Sequence, residues 1–297
     1  MKYKIVLSFV TACTIASAME LRIGSATFNW QMGMGFMQSD FDLDAHVWSL
    51  GEQHNSFGDS RLYYFYNADL YQSDYVDRLT TLITTPLTYD FPVFGSFNDA
   101  VADHTSLPVP ADYKIRGFDL NLGIGYDLLK NDRSYLGIGI NTGLSIPVLK
   151  MKNLRKSASV TYDLLDHTDT TIKTYKLGPI LHTGYRPASS LLLYASFGAG
   201  LQTGTIENGW IKSSLSVDGS YSTLDLELRY TPWQSTRDLG WIRLDPKLFL
   251  TAGYTRKSWR MDDAKIKAFN IAQFDSGGLF TDSFDANYWY LGIGYDF

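Results

Sequence analysis

The chain has 297 residues, with five histidines and a single cysteine. Acid–base or nucleophilic chemistry would therefore have to be built from few positions. Asp42, Asp44 and His46 stand at every second position, with Asp40 just before them, which puts the three on one face of an extended segment. Two carboxylates and an imidazole in such a row are donors for a divalent cation, or parts of an acid–base site that uses water as nucleophile. His54 with Ser56 and His104 with Ser106 have the two-residue spacing that lets an imidazole take a hydroxyl proton. Both pairs fall in turn or loop sequence, however, and catalysis calls for a rigid support. A third set is purely charged. Asp225, Glu227 and Arg229 alternate along one segment, and Arg243, Asp245 and Lys247 along the next. A hairpin centred near residue 237 pairs Arg229 with Asp245 and Glu227 with Lys247. That arrangement either neutralises buried charge or lines a narrow ion path. Structural polarity is the plainer explanation of all three sets, so the expectation is a non-enzyme without metal or cofactor. His182, between Lys176 and Arg186, reads as a packed interior histidine.

Rows of this kind need strands to hold them, and the dominant signal along the chain has period two. Phe118, Leu120, Leu122, Ile124, Tyr126 and Leu128 alternate with Asp119, Asn121, Gly123, Gly125 and Asp127. The pattern recurs over 136–148, 191–201 and 224–230, and no segment of comparable length has helical period. The second face mixes glycine with charged and amide groups, as a narrow lumen requires, whereas a soluble sandwich would expose it to solvent. Short polar turns at 130–133, 187–189 and 231–238 alternate with longer connections near 150–170 and 259–283, the asymmetry of a transmembrane barrel. The expected fold is all-β, a single antiparallel up-and-down transmembrane barrel. Its strands lie near 21–37, 41–50, 61–71, 113–129, 134–149, 172–186, 190–206, 211–231, 239–258 and 284–297. That makes ten. The apolar positions switch from even (Phe28, Trp30, Met32) to odd (Phe41, Leu43, Ala45) around 38–40, which marks a turn or a bulge; if it is only a bulge, either eight strands result or the tenth comes from about 79–90. Residues 72–112, with Pro86, Pro92, Pro108 and Pro110, read as a long external loop folding over the mouth. Trp30, Trp48, Tyr64, Tyr66, Tyr230, Trp241, Trp289 and Tyr295 are expected in interfacial aromatic girdles, in preference to the alternative of a carbohydrate platform in the loops around Trp210 or Trp259.

The first residues address the compartment. Lys2 and Lys4, the apolar run Ile5–Val10 and the small-x-small end Ala16-Ser17-Ala18 form a cleavable secretory signal over 1–18, leaving 19–297 as the barrel. A spanning anchor would need about 20 apolar residues; Val10-Thr11-Ala12-Cys13 offers a lipoprotein signal as the alternative. Cleavage removes the only cysteine and two lysines. Lys plus Arg count 26 against 31 for Asp plus Glu, which excludes a basic face for nucleic acid. Mean hydropathy of -0.13 argues against a polytopic helical membrane protein.

The chain ends with Trp289, Leu291, Ile293, Tyr295 and Phe297 on one face of the last segment. In this it resembles the bacterial outer-membrane β-barrel proteins, whose final strand closes on Phe as a signal to the barrel-assembly machinery. The resemblance implies a Gram-negative outer membrane, with membrane lipid, lipopolysaccharide and that machinery as partners. Asp42 and Asp44, with Asp166, His167 and Asp169, also resemble the Asp pair and Asp-His pair of the omptin family of ten-stranded outer-membrane proteases. Here the first pair comes one hairpin early, and Asp166 and His167 are adjacent rather than spaced by one. The expected function is a structural, surface-contact or narrow, porin-like passive-permeation role. The alternative is an outer-membrane hydrolase, either omptin-like or lipid-modifying.

Overall fold

The computed structural model describes residues 18–34, 37–83, 106–152, 169–208, 214–233, 235–238, 243–268, 272–275 and 280–297. These form strands β1 (Ala18–Met34), β2 (Met37–Ser56), β3 (Leu62–Ser73), β4 (Val76–Ile83), β5 (Ser106–Lys130), β6 (Ser134–Lys152) and β7 (Asp169–Ala188). They continue with β8 (Leu191–Asn208), β9 (Ser214–Tyr230), β10 (Arg237–Asp238), β11 (Arg243–Leu244), β12 (Leu248–Ala268), β13 (Ala272–Asp275) and β14 (Phe280–Asp296). Ten of them close an antiparallel barrel in the order β1-β2-β3-β5-β6-β7-β8-β9-β12-β14, and β14 returns to β1 from Ala18↔Asp296 to Met34↔Phe280. Closure leaves no open edge around the wall, which a barrel exposed to lipid requires. The ten-stranded expectation holds, and 37–56 is a strand of its own, paired to β1 out to Met34↔Met37.

Two expected boundaries move. Residues 72–112 are not all loop: β4 pairs with the start of β5 from Val76↔Tyr113 to Ile83↔Ser106, so Pro108 and Pro110 sit inside a ladder instead of ending one. Residues 84–105, with Pro86 and Pro92, lie outside the described residues. The strand expected from 239 starts at Leu248, because Asp245 makes a turn there. Its carboxylate accepts the Lys247 amide at 3.0 Å, and its carbonyl accepts the Leu248 amide at 3.0 Å. At the same end of the barrel Asn131 Oδ1 accepts the amides of Arg133 and Ser134, both at 2.9 Å, and Gly58 takes a positive φ of 58° in the turn after β2. The turns after β2, β5 and β7 and both chain ends thus share one end, and the long connections 84–105 and 153–168 leave the other, together with the two-residue 35–36 connection; in such barrels these are the periplasmic and external ends.

The period-two pattern carries a second rule that inverts along the barrel. On β1 the inward row runs Glu20, Arg22, Ala26, Phe28, Trp30, while the outward row runs Leu21, Ile23, Ser25, Thr27, Asn29. On β14 the inward row is Phe284, Ala286, Tyr288, Tyr290, and the outward row passes from Asp285 and Asn287 to Trp289, Leu291 and Ile293. Near the turns the wall is therefore apolar outside and charged inside. Toward the long connections it is polar outside and apolar inside. The lower part presents the outward apolar surface that hydrocarbon requires, and the upper part has the polar outside and apolar inside of a wall that meets water. On β5 the outward apolar row from Phe118 to Leu128 covers about 33 Å of strand. At a tilt near 40° this is about 25 Å along the axis, the height of a hydrocarbon belt.

Glycine makes the narrow lumen possible. Inward Gly117, Gly123 and Gly125 on β5 stand directly across from inward Tyr71, Phe65 and Tyr63 on β3. A Cβ added at any of the three would run into the facing ring. The glycine row noted in the sequence is thus the floor on which the aromatic rings of the next strand lie.

Candidate functional site

The candidate site is the lumen, which is filled in three layers. The layer nearest the turns is ionic. Arg22 donates through Nε and Nη2 to the two oxygens of Glu20 at 2.8 and 2.9 Å, and through Nη2 to Glu227 at 2.6 Å; its Nη1 lies 3.5 Å from Asp225. Arg229 donates to Glu52 at 3.1 Å and lies 3.5 Å from Glu227 and 3.9 Å from Glu20. Gln53 donates to Asp225, Thr251 donates to Glu20, and Tyr290 donates to both Asp225 and Glu227 at 3.1 and 3.0 Å. Each guanidinium also covers a ring, Arg22 over Tyr290 at 4.7 Å and Arg229 over Phe249 at 4.0 Å. To one side His54 is stacked between Tyr63 and Tyr135, at 4.3 and 4.0 Å between ring centres, and bonds Asp127 at 2.9 Å. A cavity of about 60 Å³ opens beside Glu52, Gln53, His54 and Arg229, room for a water or two but not for a substrate.

The middle layer is also ionic. Lys257 donates to both Asp69 and Asp119, Lys176 lies 2.5 Å from Asp119, and Tyr288 donates to Asp69 at 2.9 Å. Two cations face two carboxylates, and all four are buried. The third layer is apolar: Phe28, Trp30, Leu43, Val47, Tyr113, Ile115, Leu149, Ile172, Trp259, Met261 and Phe284 belong to one buried cluster. Phe284 sits at its centre, with Phe28, Trp30 and Trp259 at 5.3, 5.6 and 4.9 Å. Asp282 is embedded at its edge, accepting the Trp30 indole N–H at 2.7 Å while its second oxygen has no partner among the described residues.

The structure brings Asp225, Glu227 and Arg229 into the first layer, whereas Asp245 sits in the turn before β12 and Lys247 at the end of the barrel; the side chain of Arg243 lies outside the described residues. Arg229 is paired with Thr251 and Glu227 with Gly253, in place of the expected Asp245 and Lys247. The physical reason is the connection between β9 and β12. It carries the small β10–β11 pair (Asp238↔Arg243) and the Asp245 turn, so the hairpin register lies further along the chain. Lys247 is exposed at the end of the barrel, its ammonium 6.0 Å from the Tyr295 ring.

Asp42, Asp44 and His46 do share one face, as their spacing required, and that face is the outer one. Asp42 accepts from Asn29 at 2.8 Å and Asp44 from Thr27 at 3.1 Å, while His46 stands directly across from Ser25. Among the described residues no group of His, Cys, Asp or Glu could hold a metal ion. Of the His-Ser pairs, His54 is taken up by Asp127, and Ser56 accepts from Lys130 at 3.0 Å; His104 lies outside the described residues. So do Asp166 and His167, whereas Asp169 pairs with Lys150 at 2.8 Å. His182 is buried and bonded through Nδ1 to the Tyr194 hydroxyl at 2.7 Å. Trp30 and Trp259, expected in a girdle and a loop, are interior. Trp289, Leu291, Ile293 and Phe297 face outward at the end of the chain and are exposed, Trp289 to 72%.

Reading by sequence spacing missed Glu20, Arg22, Glu52, Asp69, Lys257 and Tyr288 as network members. Their signal was faint but present. Glu20 and Arg22 alternate with Leu21 and Ile23, and Asp69 lies between Ala68 and Leu70, but Glu52 and Lys257 lie in polar stretches, and only the register around the barrel shows which of them meet.

No family model matches the chain, and no curated protein matches it in sequence. Solved structures do match in fold. The outer membrane protease OmpT from Escherichia coli aligns over 94% of this chain and 96% of its own, with a TM-score of 0.55 and 9% identity. The attachment invasion locus protein Ail of Yersinia pestis covers 94% of this chain and 98% of its own, at 12% identity and a TM-score of 0.31. The translocator domain of autotransporter NalP from Neisseria meningitidis covers 100% and 96%, at 10% identity and a TM-score of 0.35. At such identities the likeness is one of architecture. The chain is a closed ten-stranded antiparallel barrel with the fold of outer-membrane β-barrel proteins.

Proposed function

We propose that the protein is a sealed, non-catalytic barrel of a Gram-negative outer membrane, exported by the signal over residues 1–18. Its role is structural and surface-facing: to hold its external connections and the rim of its protruding wall toward the surroundings. The observation that carries this is the filled lumen. An ion crossing it would have to break two paired layers, in which Arg22, Lys176 and Lys257 are already committed to carboxylates, and then pass an apolar layer of packed rings. Neither step suits passive permeation. The outer membrane is supported by the apolar belt, the outward-facing C-terminal row and the shared fold.

The test is planar-bilayer recording of residues 19–297 after heat-modifiable gel mobility has established folding, with the same preparation assayed for fatty-acid release from phospholipid vesicles. A folded, silent and hydrolytically inert barrel is expected. Discrete open steps would replace this reading with permeation. Fatty-acid release abolished by Ser25→Ala would replace it with a lipid hydrolase built on the outward Ser25–His46 pair.

A further inference from the structure

The two ionic layers of the lumen differ in balance. The middle one sets Lys176 and Lys257 against Asp69 and Asp119. The layer nearest the turns sets four carboxylates, Glu20, Glu52, Asp225 and Glu227, against two guanidiniums, Arg22 and Arg229. All four carboxylates are buried. Asp296 at the rim draws on Arg229 as well, at 3.9 Å. No other cation among the described residues pairs with any of the four. His54 and Lys130 are turned to Asp127, at 2.9 and 4.0 Å, and Arg186 is exposed at the turn end, where water screens its charge. Buried carboxylates in excess of their cations are costly, so the layer calls for positive charge from outside the chain.

The deficit has a location. Glu52 accepts from Arg229 and from the His54 amide through Oε1, at 3.1 and 3.5 Å, while its Oε2 has no hydrogen-bond partner among the described residues. Glu227 accepts from Arg22 and Tyr290 through Oε2, at 2.6 and 3.0 Å; its Oε1 accepts no hydrogen bond and lies 3.5 Å from Arg229 Nε. Glu52 and Glu227 are 2% and 5% exposed. Both line the cavity of about 60 Å³, together with Gln53, Leu192 and the rings of Tyr135 and Tyr194. Arg186 also lines it, so the way in is from the turn end.

The occupant is defined by what is missing. Two carboxylates are too few ligands for a divalent metal, and about 60 Å³ is room for a particle of water's size. Unpartnered acceptor oxygens ask for N–H or O–H donors. A net negative layer favours a donor that is also charged, and aromatic rings beside it add to that attraction. Ammonium meets all three conditions.

We propose that this cavity is a binding site for one ammonium ion, held between Glu52 and Glu227 and completing the charge of the lowest layer. The site is independent of the non-catalytic reading above, since it concerns only the turn end of the lumen. Its consequence is a barrel whose stability responds to a small solute on that side.

The test is equilibrium urea unfolding of the refolded protein in phosphatidylcholine vesicles, once heat-modifiable mobility has established folding. Tryptophan emission is followed at one pH and one ionic strength in ammonium, potassium or tetramethylammonium chloride. Potassium has nearly the size of ammonium but no hydrogens, and tetramethylammonium is too bulky for the cavity. At about 100 mM salt, an unfolding equilibrium constant about tenfold lower in ammonium than in either control is expected, as for a site with a Kd of about 10 mM. Glu52→Gln removes the charge, and Leu192→Phe fills the space while keeping every charge; each is expected to abolish the difference, and if one fails to fold the other decides. A difference that survives in a folded variant would overturn the proposal. So would equal stabilisation by potassium, which is charge screening alone, or no shift in any salt, which would leave the cavity to water.

Discussion

Replacing Lys257 with methionine probes the middle layer most directly. Lys257 donates to both Asp69 and Asp119, and methionine keeps most of its length while removing the charge. Asp119 retains Lys176 and the Ser145 hydroxyl; Asp69 retains the Tyr288 hydroxyl and the Asn67 amide but no cation. The layer goes from two cations on two carboxylates to one on two, all buried away from water. Breaking a buried pair from one side costs about 3–5 kcal/mol, because the surviving charge stays desolvated. Lys257→Met should therefore lower the unfolding free energy by that amount in equilibrium urea unfolding in lipid vesicles, followed by tryptophan emission. Adding Asp69→Asn should recover roughly half or more of the loss, since the remaining Asp119 still holds Lys176. Conductance should stay silent in both variants, because the apolar layer above is untouched. A single variant within about 1 kcal/mol of the parent, or a double variant no better than the single, would refute the idea that the lumen is held by committed ion pairs.

Two further perturbations test the layers on either side. Gly125→Val places a branched side chain where the Tyr63 ring lies; it should cost about 1–3 kcal/mol by overpacking and lower the folded yield, and Tyr63→Ala in the same chain should restore that yield. Asp282→Asn keeps the acceptor for the Trp30 indole and removes a carboxylate whose second oxygen has no partner among the described residues. It should stabilise the barrel by about 1–2 kcal/mol at neutral pH, and an unchanged or lower urea midpoint would count against an apolar upper layer.

Much of the wall was legible in the sequence because a strand with two different faces writes itself as period two. Phe118–Leu128 could be assigned to lipid, and Asp119 opposite it to the lumen, from alternation alone. Trp30 shows where that logic ends. It was placed in a girdle because apolar outward positions are the rule within hydrocarbon, but it lies where the wall has left the bilayer, and there the rule reverses. The inward positions of β1 are even throughout, but its apolar residues pass from odd (Leu21, Ile23) to even (Phe28, Trp30) because the solvent outside changes. A local pattern reports that two faces differ, not which of them meets water.

The charged residues divide in the same way. Asp42, Asp44 and His46 had to share a face by spacing, and they do, but whether that face looked inward depended on how many residues the preceding turn consumed. The pairing of Arg229 depended on the β10–β11 segment, which no alternation announces. Period and the outward final row belong to the sequence by itself, since each follows from nearest-neighbour geometry along one strand, whereas the choice of ten strands over eight needed the pairing of β2 with β1. The ion-paired layers of Glu20, Arg22 and Glu227 and of Asp69, Asp119 and Lys257 belong to the tertiary structure. Their members come from strands far apart in the chain, and only the register at which the barrel closes sets them at the same height.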